Sequence, residues 1–293
     1  MPQPPAAAPR PLRGIALMVL ALLILPLMDG FAKVLGGHMS VIQIVWARVV
    51  FSTLAILPVV LFRGAARWWW PHNFGFQVAR SILLLISTGM FFAALKHLPL
   101  ADTLAIFFVM PLILTALSPL VLKEPVDAPT WAAVAVGFIG TLIIIRPGFQ
   151  EVNIGTLAAL ASGFTIALYM LLTRKIAGAT DAIVTNLHTS LAGAVIASVA
   201  VPFVWVEPTA HEWALMIGIG VIAAIGHYFI IRAYDFAPAP VLAPLAYSEI
   251  IGATAVGYFL FGQLPDRYTV LGVLILIGSA IYISLRERRR QRA

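Results

Sequence analysis

The chain has 293 residues, of which 61% are hydrophobic and only 11% charged, and its mean hydropathy is +0.98. A soluble domain is roughly 45–50% apolar and about 25% charged, so this composition excludes a soluble enzyme, a secreted disulfide-stabilised domain and a disordered protein, and it indicates a polytopic membrane protein. The chain has no cysteine, which excludes a disulfide framework, a thiolate metal site and a cysteine nucleophile.

Ten apolar segments are each long enough to cross a membrane, which needs about 20 residues in a helix. In chain order they are Gly14–Leu35, Val41–Phe62, Phe76–Leu95, Leu100–Leu122, Pro129–Ile145, Ile154–Thr173, Ala182–Phe203, Trp213–Ala233, Val241–Gly262 and Tyr268–Leu285. The linkers are too short to hold a soluble domain. The tryptophans at positions 68–70 are typical of an interfacial anchor.

The distribution of basic residues predicts the orientation of these spans. If the N-terminus is cytoplasmic, most of the 19 lysines and arginines fall on the cytoplasmic side, as the positive-inside rule expects. We therefore predict an inner-membrane protein with both termini in the cytoplasm. We expect residues 1–13 to form a disordered cytoplasmic leader and residues 286–293 a basic juxtamembrane tail, so that the net charge of +7 reflects topology and not nucleic-acid binding.

The chain also contains an internal repeat. Pro99 and Pro238 follow similar hairpin sequences 139 positions apart, and Glu124 and Gln263 occupy similar turns with the same separation. Each half holds five spans. Because five is odd, the second half enters the membrane from the opposite face, which predicts two inverted repeats at residues 14–147 and 154–285, an architecture common in secondary transporters.

The segment PLAYSEIIGATAVGYFLFGQLPDRYTVLGVLILIGSAIYI (244–283) resembles the second EamA-type repeat of the drug/metabolite transporter superfamily. In the first half, Pro111, Glu124 and the run TWAAVAVGFIGTLIII match the same pattern. Gln263 departs from the glutamate usual in the family, so we interpret that turn as a structural helix-end contact. The resemblance implies a ten-helix bundle that works by alternating access, with helices three, four, eight and nine lining a central cavity.

Glu249 is the strongest candidate for a functional charge. It lies deep in the ninth span, where a charge costs roughly 2.5–3.5 kcal/mol on insertion scales. We predict that it binds a substrate ammonium or carries a coupling proton. The alternative is a structural hydrogen bond at a helix crossing.

Four further charged residues lie in or near the outer halves of the spans. Asp29 and Lys33 are one helical turn apart and can neutralise each other. Arg48 can pair with Asp29 across helices one and two, or anchor a carboxylate. Asp102 follows Pro99 and can either cap its helix or attract a cation. We predict structural ion pairs for Asp29, Lys33 and Arg48, and a place for Asp102 at the substrate site.

The remaining candidates form mixed hydroxyl and aromatic faces, which suit a largely apolar pocket with a few polar anchors. His227 lies on the predicted lining helix eight, and helix packing is the alternative for each of the others. The set comprises His227, Tyr228, Arg80, Ser87, Thr88, Phe91, Phe107, Tyr247, Ser248 and Tyr258.

These features favour an all-α secondary active transporter that exports small metabolites, best matched to aromatic or neutral amino acids. Carriage of drugs or nucleotide-derived metabolites is the alternative. Two remote alternatives are a passive channel and an intramembrane serine hydrolase that uses Ser162 and His227. We expect no catalysis, no cofactor and no metal. The expected partners are a small-molecule substrate and the lipid bilayer, with no nucleic acid and no obligatory protein subunit.

Overall fold

A computed structural model describes residues 11–62, 74–121, 126–146, 153–175, 182–236 and 242–290. Within these ranges the regular secondary structure is entirely helical. The α-helices are α1 (Pro11–Leu35), α2 (Val41–Phe62), α3 (Phe74–Leu95), α4 (Leu100–Phe107), α5 (Met110–Val121), α6 (Ala128–Ile145), α7 (Ile154–Lys175), α8 (Ala182–Ala200), α9 (Ala210–Phe236), α10 (Ser248–Phe261) and α11 (Arg267–Arg290), and 3-10 segments cover Val201–Val204 and Ala243–Tyr247.

The all-helical membrane class predicted from the sequence is confirmed. Eight helical segments are long and apolar enough to cross a membrane, and two shorter apolar helices cover Leu245–Phe261 and Arg267–Ile283. The count of ten spans and the cytoplasmic termini stay predictions. The leader up to residue 10, the tryptophans at 68–70, Glu124 and Pro238 lie outside the described residues.

The fourth and ninth spans are both discontinuous. The fourth is divided into α4 and α5 by a turn at Phe108 and Val109, and Pro111, which has no N–H to donate, stands at the start of α5. In the ninth span a 3-10 segment precedes α10. Phe108 and Tyr247 are 139 positions apart, the spacing of the sequence repeat, and their rings pack together with centroids 5.1 Å apart.

The packing of the helices follows the same relation between the two halves. Helix α1 packs on α9 and α10, and in the other half α7 packs on α3 and on the broken α4–α5 span. Helices α2 and α8 pack on each other, as do α6 and α11. Exchanging the first five spans for the last five leaves this set of contacts unchanged, as two inverted repeats would require. The repeat boundaries at 14–147 and 154–285 stay a proposal.

Polar contacts join the helices at the end of the bundle where α1 finishes, which we call the distal end; the other is the N-terminal end. Lys33 Nζ donates to the carbonyl oxygens of Leu95 and Leu98, at 2.7 and 2.5 Å. Arg146 and Asp266 form an ion pair at 2.6 Å. Buried apolar side chains fill the space beneath these contacts, namely Leu35, Met39, Leu95 and Leu100. The distal end is therefore closed.

Candidate substrate-binding cavity

A cavity of about 290 Å³ lies inside the bundle between spans of both halves. Its lining comprises Met18, Leu22, Leu25, Met28, Asp29, Arg48, Leu84, Ser87, Thr88, Phe91, Phe92, Leu104, Phe107, Phe108, Met110, Ile166, Met170, His227, Ile230, Leu242, Ala246 and Glu249. The volume is near the lower end of that found for small-molecule sites, and the lining is mostly apolar with a few polar groups, as such sites usually are.

Three charged side chains from three helices face this cavity. Asp29 comes from α1, Arg48 from α2 and Glu249 from the first turn of α10. Arg48 Nη1 donates to Thr88 Oγ1 at 3.1 Å, while its Nε is buried and has no hydrogen-bond partner among the described residues. The cavity thus holds two carboxyl groups and one guanidinium with donor capacity to spare, so it can receive a ligand carrying both charges.

His227 also lines the cavity and has a defined orientation. Its Nδ1 lies 2.8 Å from the carbonyl oxygen of Ala223, one turn earlier on α9. A carbonyl oxygen can only accept, so Nδ1 carries the hydrogen and Nε2 presents a lone pair. The imidazole is therefore fixed on one side and able to accept a proton on the other.

Aromatic and thioether side chains form the apolar wall. Phe91 and Phe107 meet edge to face with their ring centroids 5.2 Å apart. Four of the eight methionines in the chain also line the cavity: Met18, Met28, Met110 and Met170. Methionine is flexible and polarisable and fills irregular gaps, so this wall can adapt to ligands of different shape.

The breaks in spans four and nine place the central residues. The break after α4 directs Phe107 and Phe108 to the cavity, and Gly163 of α7 packs directly against it. A Cβ on Gly163 would lie 2.9 Å from the Phe107 carbonyl oxygen, so only glycine allows this close approach. The 3-10 segment before α10 brings Glu249 to the cavity instead of leaving it in mid-helix.

Six of the residues singled out from the sequence as site candidates line the cavity: Glu249, His227, Ser87, Thr88, Phe91 and Phe107. Ser87 is engaged as well in a helix contact, since its hydroxyl donates to the Ser162 carbonyl oxygen at 3.1 Å while the Ser162 hydroxyl donates to the Ser87 carbonyl oxygen at 2.8 Å. The structure brings these six together, whereas it places the others elsewhere.

The structure places Arg80 outside the cavity lining. Its guanidinium is buried between α3 and α7 and donates to Gln77 Oε1 at 2.7 Å, Thr173 Oγ1 at 2.8 Å and Tyr169 Oη at 3.3 Å. It stacks on the Tyr169 ring as well. These partners occupy the guanidinium, so Arg80 holds two helices together away from the cavity.

The expected polar face of the ninth span also lies outside the cavity lining. Tyr247 is buried against Phe108, Ser248 donates to the Leu245 carbonyl oxygen at 2.7 Å, and Tyr258 is 52% exposed on the surface of the bundle. Tyr247 ends the 3-10 segment and packs inward, whereas Tyr258 lies near the far end of α10, so the two tyrosines have different surroundings. Tyr228 lines a separate lateral groove on α9.

The expected ion pairs of Asp29 are not formed. Lys33 extends to the α3–α4 hairpin and interacts electrostatically with Asp102, so it does not reach back to Asp29. Arg48 interacts with Asp29 across the cavity without approaching to ion-pair distance. Asp102 lies in the first turn of α4 without capping it and interacts with Thr269, away from the cavity lining.

Sequence reasoning missed the contribution of α1, α2 and α7 to the lining. The charges in the first two spans were the available signal, and they were interpreted as paired. The methionines offered a second signal, because an unbranched thioether is common at adaptable binding surfaces. Among the described residues, no cluster of three histidine or acidic side chains could hold a metal ion.

The hydrolase alternative lacks its geometry. Ser162 is fully buried and donates to the Ser87 carbonyl oxygen at 2.8 Å. His227 bonds instead to its own helix, and no hydrogen bond joins these two described residues. A serine nucleophile needs a base within hydrogen-bond reach, so this pair has no catalytic arrangement.

The sequence profile of the EamA-like transporter family matches residues 12–146 and 153–285, almost the whole chain. The chain belongs to the EamA-like transporter family. The match covers both halves of the molecule, so the helices lining the cavity all fall within family segments. The similarity to the drug/metabolite transporter superfamily seen in the sequence is thereby confirmed.

Relatives of this EamA-like transporter include uptake and export proteins. It is 24% identical over 278 residues to the S-adenosylmethionine uptake transporter of Rickettsia prowazekii, with 95% and 94% of the two chains covered. It is 26% identical to the riboflavin transporter of Vibrio cholerae, covering 96% of each, and 26% identical to the pseudopaline exporter CntI of Pseudomonas aeruginosa, covering 92% and 95%. A solved structure with 16% identity shares the fold at a TM-score of 0.64, covering 94% of this chain and 99% of that one.

Proposed function

We propose that the protein is a secondary active transporter of a zwitterionic, amine-bearing metabolite, in the first place an amino acid with an apolar or aromatic side chain. The observation that carries this proposal is the convergence of Asp29, Glu249 and Arg48 on one largely apolar cavity. A neutral apolar ligand would leave three charged groups unpaired, at a cost of several kcal/mol.

Each part of such a substrate has a partner in the cavity. The ammonium group pairs with the carboxylates of Asp29 and Glu249, and the carboxylate pairs with the guanidinium of Arg48, whose Nε has no other partner among the described residues. Charge-assisted hydrogen bonds of this kind are about twice as strong as neutral ones. The side chain of the substrate packs on Phe91 and Phe107 and on the methionine wall. Arg48 thus takes the second of the two roles considered for it from the sequence, the anchoring of a carboxylate.

Export by proton exchange follows from the same carboxylates. Asp29 and Glu249 face one cavity and interact electrostatically, and two like charges at close range disfavour full ionisation. A proton relieves this repulsion when the substrate is absent, and the substrate ammonium relieves it when bound. Proton and substrate therefore compete for the site, so that inward proton movement can drive outward substrate movement.

S-adenosylmethionine is a second candidate, favoured by the rickettsial relatives. It carries an amino-acid group together with a sulfonium cation and an adenine ring. Two carboxylates suit its two cationic groups, and the ring pair Phe91–Phe107 offers a stacking surface for the adenine. The two candidates share the amino-acid contacts and differ in what fills the apolar part of the cavity.

Counterflow in proteoliposomes tests the proposal. Vesicles are preloaded with an unlabelled aromatic or neutral amino acid, or with S-adenosylmethionine, and uptake of the labelled compound is followed. We expect saturable exchange with one of these compounds and its loss in Glu249→Gln. Glu212→Gln is the matched control, because Glu212 lies at the start of α9 and bonds to Thr209 and His38 away from the cavity.

Two results would overturn the proposal: folded protein that exchanges none of these compounds, or Glu249→Gln exchanging as fast as Glu212→Gln. Direction is tested separately with a pH gradient imposed on vesicles of known orientation. Accumulation of substrate on the side with the higher proton concentration supports exchange with protons and therefore export. Accumulation on the side with the lower proton concentration shows that proton and substrate move together, and it assigns uptake.

A further inference from the structure

A second, smaller pocket adjoins the central cavity and is lined mainly by polar residues. Its volume is about 20 Å³. The lining comprises Arg48, Val49, Ser52, Ser81, Leu84, Leu85, Asn186, Thr189, Ser190, Gly193, Ala223 and His227. A site of this volume holds about one water molecule, which also needs two to four polar partners. Both requirements are met here.

The pocket shares polar lining residues with the central cavity. Arg48 and His227 line both spaces. Since Nδ1 of His227 bonds to the Ala223 carbonyl oxygen, the lone pair of the imidazole is on Nε2. A water between the two spaces can therefore donate to His227 while accepting from Arg48.

The other side of the pocket leads toward the N-terminal end along one face of α8. Asn186, Ser190 and Gly193 line the pocket at steps of four and three residues, which places them on one side of the helix. Asn186 is only four residues, about 6 Å, from the beginning of α8 at Ala182. It also lines the lateral groove on the surface of α2 and α9. The polar face thus runs from the bundle interior almost to the helix end.

We propose that this pocket binds a water molecule through which protons pass between the N-terminal side of the bundle and His227. This inference rests on the proposed proton-exchange transport and adds the route of the proton. With the N-terminal end on the cytoplasmic side, as the sequence predicts, inward proton movement starts from the carboxyl group of Asp29 or Glu249, which gives its proton to the Nε2 lone pair of His227 and becomes a carboxylate. The imidazolium passes a proton from Nε2 to the water, which releases one proton toward the N-terminal side, so that the histidine and the water return to their neutral forms.

The charged surroundings of His227 are consistent with this transfer. The charged groups that line the two spaces around it are Arg48 on α2, Asp29 on α1 and Glu249 on α10. The positive charge of Arg48 destabilises the imidazolium form of His227, whereas the carboxylates stabilise that form while it exists. The histidine therefore serves as a relay and not as a store of the proton.

Gly193 provides a direct test, because a methyl group there enters the pocket without a clash. A Cβ at this position would meet Val49 and Leu85 at ordinary contact distances of 3.4 and 3.6 Å. The matched control is Gly278→Ala on α11, where a Cβ has nothing within 4 Å. Ser190→Ala removes a hydroxyl from the pocket without filling it.

The experiment measures counterflow and substrate-driven proton movement in the same proteoliposomes, the latter with a trapped pH dye. We expect Gly193→Ala to retain counterflow while proton movement falls about tenfold. We expect Ser190→Ala to slow it by about fivefold, the effect of one lost hydrogen bond, and Gly278→Ala to leave both unchanged. A high-resolution structure should show a water between Arg48, Asn186 and His227 in the natural chain and none in Gly193→Ala.

The outcomes separate the two proposals. Absence of counterflow in the natural chain overturns the proposed substrate class, while the water density still decides the pocket. Proton movement that is equal in Gly193→Ala and Gly278→Ala overturns the route. If Gly193→Ala loses counterflow and proton movement together, the pocket belongs to the substrate site and the proposed proton route is wrong.

Discussion

At the scale of single residues, two arginines in neighbouring helices have different surroundings. Arg80 has all three of its side-chain nitrogens engaged by Gln77, Thr173 and Tyr169. Among the described residues, Arg48 bonds to Thr88, and its Nε beside the cavity has no partner. A buried donor without a partner costs about 1–3 kcal/mol, and a cost of this kind is retained where a ligand supplies the missing acceptor.

Lysine substitutions should separate these two arginines. Arg48→Lys keeps the charge but loses the planar fork that binds a carboxylate, so we expect KM for exchange to rise about 10- to 100-fold, the effect of losing about 1.5–3 kcal/mol. Arg80→Lys should leave KM unchanged and lower thermal stability. Exchange kinetics give KM for the two variants, and melting temperatures give their thermal stability. Equal KM values for the two variants would contradict the role of Arg48.

At the N-terminal end, a carboxylate caps α6 and binds an arginine. Asp127 accepts from the Thr130 backbone N–H at 3.1 Å and from Arg286 Nε at 2.7 Å. The hydrogen bond from Arg286, followed by those from Thr130, holds the pKa of Asp127 well below its ordinary value of 3.8. A lowered pKa means that the carboxylate stabilises the fold above its ordinary pKa and loses that contribution as pH falls through the lowered one.

We therefore expect Asp127→Asn to lower the melting temperature in detergent at pH 7. The deficit should stay constant down to about pH 5 and shrink below about pH 4, because the unfolded natural chain then takes up a proton at Asp127 that the folded chain does not bind. Melting curves of both proteins across this range provide the test. A deficit that does not change with pH would show that the amide is tolerated poorly for steric reasons alone.

At the scale of helices, the two cavity carboxylates depend on a close crossing of α1 and α10. Gly252 lies one turn from Glu249, and a Cβ on it would be 2.9 Å from the carbonyl oxygen of Leu23. Backbone atoms cannot turn aside as a side chain can, so only glycine fits this crossing. The spacing of Asp29 and Glu249 follows from this contact.

Alanine at position 252 should force α1 and α10 apart. We expect Gly252→Ala to lower the free energy of unfolding by about 1–3 kcal/mol, the usual effect of overpacking, and to weaken substrate binding. Gly278→Ala, on an open face of α11, should be neutral or slightly stabilising because alanine favours helix. Unfolding curves in detergent compare the two. Equal stability would show that the crossing is loose.

At the scale of the whole molecule, the closed distal end predicts how the transporter moves. Lys33 holds the hairpin between α3 and α4, while Arg146 and Asp266 connect α6 with α11. The lining residues of α1, α7 and α9 extend from the cavity toward the N-terminal end. Alternating access requires a second state in which the distal contacts part and the N-terminal end closes.

Spin labels can follow this exchange because the chain has no cysteine of its own. One doubly labelled variant carries cysteines at Phe62 and Leu120 of the N-terminal end, and another at Phe203 and Leu264 of the distal end, all well exposed. We expect substrate or a change in pH to move the two distances in opposite directions. Lys33→Met should shift the natural balance toward a wider distal end. Distances that widen or narrow together would contradict alternating access.

The sequence by itself determined the membrane class and the family, because apolar length and turn residues act locally along the chain. It identified Glu249 as a charge within an apolar span, and it gave the 139-residue spacing that relates Phe108 to Tyr247. Only the tertiary structure decided that Asp29 and Arg48 share a cavity with Glu249 while Arg80 does not, and that Tyr258 is on the surface. Which side chains meet depends on the breaks in spans four and nine and on glycine contacts between distant helices. Those are properties of the packed bundle and not of any one segment.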